Sequence, residues 1–227
     1  MFVLRNCRLI PELTEGYEGE FADLILDGGQ IVEIRAAGSV PTDAEGLDVA
    51  GKTVLPGLFD LHMHFNFDTM NIYELAGRNA SESLLRGMAV GKAYLKRGYT
   101  FVRDCGNMYY GGVYLRRAFE QGIAPGPRMH TSGACDTPVT KGNAQFGPIY
   151  REMTGKDEIV RGVREDVANG CDFIKYMVTG AVMNEGGDPG AMIFRVLYRR
   201  LLSGDFHCAG PDRRDSQRAA AGHREYE

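Results

Sequence analysis

Pro56-Gly57-Leu58-Phe59-Asp60-Leu61-His62-Met63-His64 is the stretch on which the fold turns. A Pro-Gly turn leads into a short apolar run that ends in two histidines one residue apart. Side chains alternate across a strand, so Asp60, His62 and His64 share one face. Two neutral imidazoles at that spacing, at a strand end, can chelate one divalent cation. A carboxylate on the same face, here Asp60, is what such ligands use for orientation or counter-charge. The competing reading is two chance histidines in a loop, and the apolar strand before them favours the metal.

Downstream the chain alternates strand and helix. Leu84, Leu85, Met88, Ala89 and Leu95 mark one side of a helix over residues 79–96, stopped by Gly98. Residues 99–103 read as the next strand, and Leu115, Ala118 and Phe119 mark a short helix over 113–121. Residues 128–131 form a third, weaker strand. Ile159, Val160, Val163 and Val167 predict a helix over 158–169, and residues 171–178 a fourth strand. This alternation implies a parallel sheet with right-handed crossovers, either an open doubly wound sheet or a (β/α)8 barrel. A complete barrel takes about 250 residues and about 140 follow the opening β region, which is room for half a barrel. Gly87 to Lys92 mimic a phosphate loop but are one residue short and lie inside the helix.

Upstream, residues 1–54 read as β. Phe2-Val3-Leu4, residues 21–26 and residues 31–34 are short apolar or alternating runs, and Asp27-Gly28-Gly29 between the last two signals a hairpin. Residues 48–55 add another short strand with a turn. The whole chain has 227 residues, 44% hydrophobic and 25% charged, which excludes disordered and collagen-like classes. Its apolar runs fall well short of the roughly 20 residues that cross a bilayer. No charged-then-apolar leader is visible. A net charge of −4 carries no electrostatic footprint for nucleic acid. Five cysteines without a C-x-x-C pair argue for a reducing compartment. The expectation is a cytoplasmic protein with a small-molecule substrate and neither nucleic-acid nor membrane partners.

Taken in order, these motifs resemble the metal-dependent amidohydrolase superfamily, whose barrel opens with a P-G-x-x-D-x-H-x-H strand after a small β-sandwich domain. Leu95-Lys96-Arg97-Gly98-Tyr99-Thr100-Phe101-Val102-Arg103-Asp104 is similar to that family's G-x-T-T-V-R-D second strand. Residues 115–128 are similar to its imidazolonepropionase-like and Xaa-Pro dipeptidase-like branch, and residues 172–183 to that branch's fourth strand. The resemblance runs from residue 1 to about 194. It implies an α/β fold: part of a small β-sandwich over 1–54, then about four strand–helix units, the first half of a (β/α)8 TIM-like barrel, over 55–194. It also implies hydrolysis of an amide-type C–N bond, in a dipeptide, N-acyl amino acid or small cyclic amide, by metal-activated water. One or two ions would serve, zinc by default.

The resemblance places a carboxylated lysine at Lys175, its carbamate formed from carbon dioxide and bridging from a first metal, held by His62 and His64, to a second. From the residues alone, an ammonium mid-to-late in an apolar strand is costly to bury. The alternative is a packed stem whose head reaches solvent. Arg103 and Asp104 are adjacent and face opposite sides of their strand, where a structural ion pair and a substrate-binding role both fit. His130 reads as a satisfied core or interlayer histidine, and Cys105 and Cys135 as small buried packers. Residues 134–153 make a long loop that would cover the substrate on a barrel's catalytic face. Thr140-Lys141-Gly142-Asn143-Ala144 stand in that loop where the branch usually carries a glycine-rich segment with a histidine.

The family's remaining ligands are histidines after the fifth and sixth strands and an aspartate after the eighth, which is also the general base. No residue matching that aspartate is recognisable here, and only His207 and His223 remain to supply a ligand. His207 could end a fifth strand after a helix over 194–202, though that strand would be shorter than barrel strands run. Residues 195–227 are rich in arginine, lack lysine and lose periodicity, so the expected account is a chain truncated or frame-shifted after about residue 194. Two further readings stay open. One is a catalytically incompetent fragment or association module, and the other a homo-oligomer in which two half-barrels pair.

Overall fold

A computed structural model describes residues 1–180 of the protein. His207, His223, the segment 194–202 and the tail 195–227 lie outside the described residues. The described residues form two compact units, Met1–Phe59 with Arg97–Phe101, and Asp60–Lys96 with the described residues from Val102.

The first unit holds β1 (Phe2–Arg8), β2 (Phe21–Asp27), β3 (Gln30–Ala36) and β4 (Gly46–Asp48), in the order β3-β2-β1-β4. β1–β2 and β2–β3 are antiparallel, while β1–β4 is parallel. Cys7, Leu9, Ala22 and Leu24 form one buried cluster, and Val3, Ile25 and Val40 another. The buried Asp23 carboxylate accepts the backbone N–H groups of Asn6 at 3.0 Å and Gly38 at 3.0 Å. It thereby ties a bulge in β1 to the loop after β3. The strand expected over 48–55 is shorter. Left-handed backbone at Ala50 and Gly51 breaks it, and Thr53 returns only as an isolated bridge to Arg8.

The second unit carries most of the strand–helix alternation. β5 (Leu58–Met63) is followed by a short helix α1 (Ile72–Ala76) and the longer α2 (Ala80–Lys96). β6 (Tyr99–Asp104), α3 (Gly111–Glu120) and β7 (Arg128–Thr131) come next. The sheet order is β5-β6-β7. Leu58 N donates to Gly98 O at 2.8 Å and Cys105 N to Met63 O at 2.8 Å, so β5 and β6 run the same way. Asn79 caps α2 by accepting from Glu82 N at 2.9 Å. Met63, Phe65, Val102, Leu115 and Met129 form the core between this sheet and its helices. Gly87 and Gly91, the residues that mimic a phosphate loop, are contact points instead. A Cβ on them would lie 2.6 Å from Leu115 and 2.4 Å from Phe119 of α3.

The third expected strand, 128–131, forms as β7, and two further short strands lie in the segment expected as a long loop over 134–153. β8 (Cys135–Thr137) continues after β7 and sits in a second sheet, ordered β10-β8-β9, with β9 (Tyr150–Glu152) and β10 (Lys175–Tyr176). The fourth expected strand, 171–178, pairs formally only over Lys175–Tyr176, but it follows β7 and β8 along its length. Asp172 N donates to Thr131 O at 2.8 Å, Lys175 stands beside Cys135, and Met177 N donates to Asp136 O at 2.8 Å. α4 (Lys156–Asn169) precedes it and packs Ile159 with Met153 and Tyr176. The long segment 134–153 is built into the unit, with Phe146 and Ile149 in a buried cluster shared with Ile72, Leu75 and Cys135. Arg151 clamps the back of β8, donating to Asp136 and Asp166, both fully buried.

Asp104 is the knot of the first three strands. It is fully buried and accepts from Phe65 N at 3.2 Å, Asn107 Nδ2 at 3.1 Å and Thr131 Oγ1 at 2.9 Å. Burial pushes its carboxyl up to about 7 against these hydrogen bonds, which favour the charged form. A raised carboxyl contributes stability that is complete at low pH and lost as pH rises through the folded value. Chemical denaturation is therefore expected to show wild-type protein losing stability relative to Asp104→Asn as pH rises from the ordinary carboxyl value of 3.8 to the folded value of about 7, with no further loss above it. An identical pH dependence in both proteins would contradict this.

Candidate functional site

The alternation of β5 places Met63 and Phe65 in the helix-facing core and leaves His62 and His64 on the other face. The two imidazole centroids are 5.7 Å apart and inclined at 58°. His64 is half-buried, and its Nδ1 lies 2.9 Å from Gly106 O. A carbonyl oxygen only accepts, so Nδ1 carries the proton and Nε2 keeps its lone pair. Desolvation lowers the His64 pKa, with Lys175 and His62 adding to it against the Gly106 hydrogen bond. His62 is exposed as a residue, yet desolvation of its ring, then Lys175 and Arg103, also lower its pKa. Both rings are thus favoured in the neutral form that binds metals.

Lys175 comes to this pair from the other sheet, its Nζ 3.2 Å from His62 Nε2. The ammonium has protons to give and the imidazole nitrogen a lone pair, so Nε2 of His62 is the acceptor and Nδ1 carries the ring proton. Lys175 is half-buried and makes no ion pair among the described residues.

The remaining expected site residues divide. Arg103 lies on the histidine face, its guanidinium 4.2 Å over the Phe173 ring, and Phe173 is two residues before Lys175. Asp104 faces the opposite way and serves the strands, so the two form no ion pair with one another. Asp60 accepts from His62 N at 3.1 Å and from the Tyr94 hydroxyl at 3.1 Å, using its oxygens on backbone and helix rather than on either imidazole. His130 is exposed, not a core residue, because the β7 alternation buries Met129 and Thr131. Cys105 and Cys135 are buried, and burial raises both thiols, that of Cys135 to about 12.

One contributor escaped the sequence reading. Gly106 has φ +138°, and a Cβ there would sit 2.2 Å from Cys135 Sγ and 3.5 Å from the His64 ring. Only glycine brings its carbonyl to His64 in that space. The signal was present as a glycine directly past a strand end, but glycines there are common.

Two imidazole Nε2 lone pairs are the metal donors on offer, and the Lys175 nitrogen can join them only after it gives up a proton. Among the described residues no three His, Cys, Asp or Glu side chains converge as a complete metal site. The set nevertheless fits a divalent cation. Its imidazoles are neutral, one is oriented by a backbone carbonyl, and metal–nitrogen bonds of about 2.0–2.1 Å suit rings at this spacing.

Comparison with known proteins shows the family of the chain. Residues 53–197 match the amidohydrolase family model, and the chain belongs to that family. It is similar to an ochratoxinase of Aspergillus niger, 25% identical over 161 residues, covering 60% of this chain and 33% of that protein. It is also similar to a dihydroorotase of Mycobacterium tuberculosis, 35% identical over 85 residues, or 37% of this chain and 17% of that protein. Among solved structures, a prolidase complexed with N-methylphosphonate-L-proline is 29% identical with a TM-score of 0.66, covering 84% of this chain and 49% of that one. The chain thus spans about half the length of the solved relatives and a third of the ochratoxinase. The neighbours define the fold as α/β of a partial TIM-barrel type.

Two outcomes check the site. Nitrogen-15 NMR is expected to show His64 with its proton on Nδ1. Gly106→Ala is expected to destabilise the protein by roughly 2 kcal/mol or more in denaturant titrations, since the new methyl meets both forbidden backbone and Cys135. A mixed tautomer, or a variant as stable as wild type, would contradict the geometry.

Proposed function

We propose that this region holds the metal of a hydrolase acting on an amide-type C–N bond, with His62 and His64 as ligands and Lys175, as its carbamate, bridging to a second ion. The substrate class is a dipeptide, N-acyl amino acid or small cyclic amide. What carries the reading is the approach of Lys175 Nζ to His62 Nε2 at 3.2 Å, beside a His64 ring whose Nε2 keeps its lone pair. A divalent metal, zinc by default, supplies an acidified water and polarises a carbonyl when bound. The chain's own residues do the rest of what is visible. Gly106 fixes the His64 tautomer, and Asp104 holds the three strands in register. Arg103 adds positive charge beneath the pair. The unit would be the opening half of a (β/α)8 barrel, 55–194, after a sandwich portion over 1–54. A cytoplasmic setting is consistent with four free cysteines among the described residues.

Lys175 would acquire its carbamate by nucleophilic attack of the neutral amine on carbon dioxide. A C–N bond forms, one C=O π bond opens onto oxygen, and the displaced amine proton leaves to water. The second reading, an association module without turnover, is favoured by one observation. Among the described residues no carboxylate stands beside the two rings as a base, because Asp60 is engaged elsewhere.

The test is zinc titration of the purified chain with and without ¹³C-bicarbonate, followed by assay on Xaa-Pro dipeptides and N-acyl amino acids. Tight zinc binding is expected in wild type, weakened at least about 100-fold in His62→Ala and in His64→Ala. A carbamate carbon resonance is expected that vanishes in Lys175→Ala, together with loss of the second ion. Turnover is expected far below the ordinary range of about 1–1000 per second, because no carboxylate among the described residues stands beside the rings as a base. Zinc affinity indifferent to both histidines would sink the metal reading, and ordinary turnover would sink the account of the missing base.

A further inference from the structure

Beyond the ligands, the same face carries an apolar surface on its C-terminal side. Phe67 lies three residues past His64, its ring centroid 4.9 Å from that imidazole. Met177 is two residues past Lys175 and so projects on the same face, one step nearer the strand's C-terminal end. Tyr150 shares a ladder row with Lys175, because Lys175 pairs with Cys135 and Cys135 with Tyr150. Neighbours in register on adjacent strands point to the same side.

These three residues differ from the core beneath them. Phe146 and Ile149 are fully enclosed, at 1% and 0% exposure, whereas Phe67, Tyr150 and Met177 are half-buried and pack on that cluster from outside. Tyr150 is held in place by stacking on Phe146, with centroids 4.2 Å apart and planes 13° apart. Its phenol is raised by burial and by Cys135, so it stays neutral. On the N-terminal side of the same row, the face is cationic, with Arg103 over Phe173. A ligand that reaches the histidines from the C-terminal ends of the strands therefore meets a rigid ring, a second ring and a flexible thioether. Small-molecule sites are built this way, mostly apolar with a few placed polar groups, and methionine adapts to the shape it receives.

We propose that Phe67, Tyr150 and Met177 form an apolar subsite that receives an aromatic or bulky aliphatic acyl group of the substrate, next to the bond presented at His62, His64 and Lys175. The inference rests on the hydrolase reading above and narrows its substrate to amides with a large apolar group on the acyl side.

The test compares binding of N-benzoylglycine and N-acetylglycine to the full chain, zinc-loaded and again after EDTA, by NMR of ¹³C-methyl methionine, with Met177→Leu to assign the reporter. N-benzoylglycine is expected to shift the Met177 methyl and to bind about tenfold tighter than N-acetylglycine, as when roughly half of an aromatic group leaves water. In Tyr150→Ala, and in Met177→Ala, the preference is expected to fall below about threefold, with zinc affinity unchanged. Should Tyr150→Ala fail to fold, Met177→Ala alone supplies the comparison. Equal affinities in wild type, or a tenfold preference that survives Met177→Ala, would overturn the subsite. Failure of zinc to bind at the histidines would instead strike the hydrolase reading, and the EDTA-treated samples would still decide the subsite.

Discussion

The register of parallel strands is the constraint on which this unit depends. His62 and Lys175 are 113 residues apart in sequence and 3.2 Å apart in space. Each projects from the face of its sheet opposite the one packed by helices, α2 and α3 for β5 and α4 for β10. A slip of one residue in any strand would turn its donors into the helix-facing core and its apolar residues out. Asp104 guards against this from within, joining Phe65 past β5, Asn107 past β6 and Thr131 of β7 through one buried carboxylate. Arg151 does the same for β8 and α4 with Asp136 and Asp166. These buried charged groups hold the frame, while the groups proposed for chemistry are more exposed.

That division explains how the face can be both ordered and reactive. Ordering comes from the backbone. His64 is aimed by a carbonyl of Gly106, whose close contact with Cys135 leaves no room for a side chain. Reactivity comes from desolvation, which keeps both imidazoles neutral and their lone pairs available. Around them the surface is graded, cationic at Arg103 and apolar at Phe67 and Met177, so a ligand with a polar centre and one apolar end matches it.

Much of this was legible in the sequence because it is written in short-range pattern. The i, i+2 histidines after an apolar strand, the helix periodicity over 79–96 and the Asp27-Gly28-Gly29 turn each involve neighbours along the chain. Features set by long-range packing were less visible. The short strands β8 and β9 lie inside the segment 134–153 that reads as a loop and no local signal marks them, and the fourth expected strand covers eight residues where the ladder spans Lys175–Tyr176. His130 looked like a core residue until strand alternation put Met129 inside. Asp60 shares parity with the histidines, but its long-range partner Tyr94 draws the carboxylate to α2. The row linking Lys175, Cys135 and Tyr150 depends on pairing across three strands and has no sequence signature at all.

The central claim is that His62, His64 and Lys175 act together as one metal-binding face. Zinc K-edge X-ray absorption on the loaded protein tests it most directly. The account predicts two imidazole ligands at about 2.0–2.1 Å with oxygen completing the set, the oxygen contribution dropping in Lys175→Ala. A sulfur ligand at about 2.3 Å, drawn from Cys105 or Cys135, or a single imidazole, would contradict it.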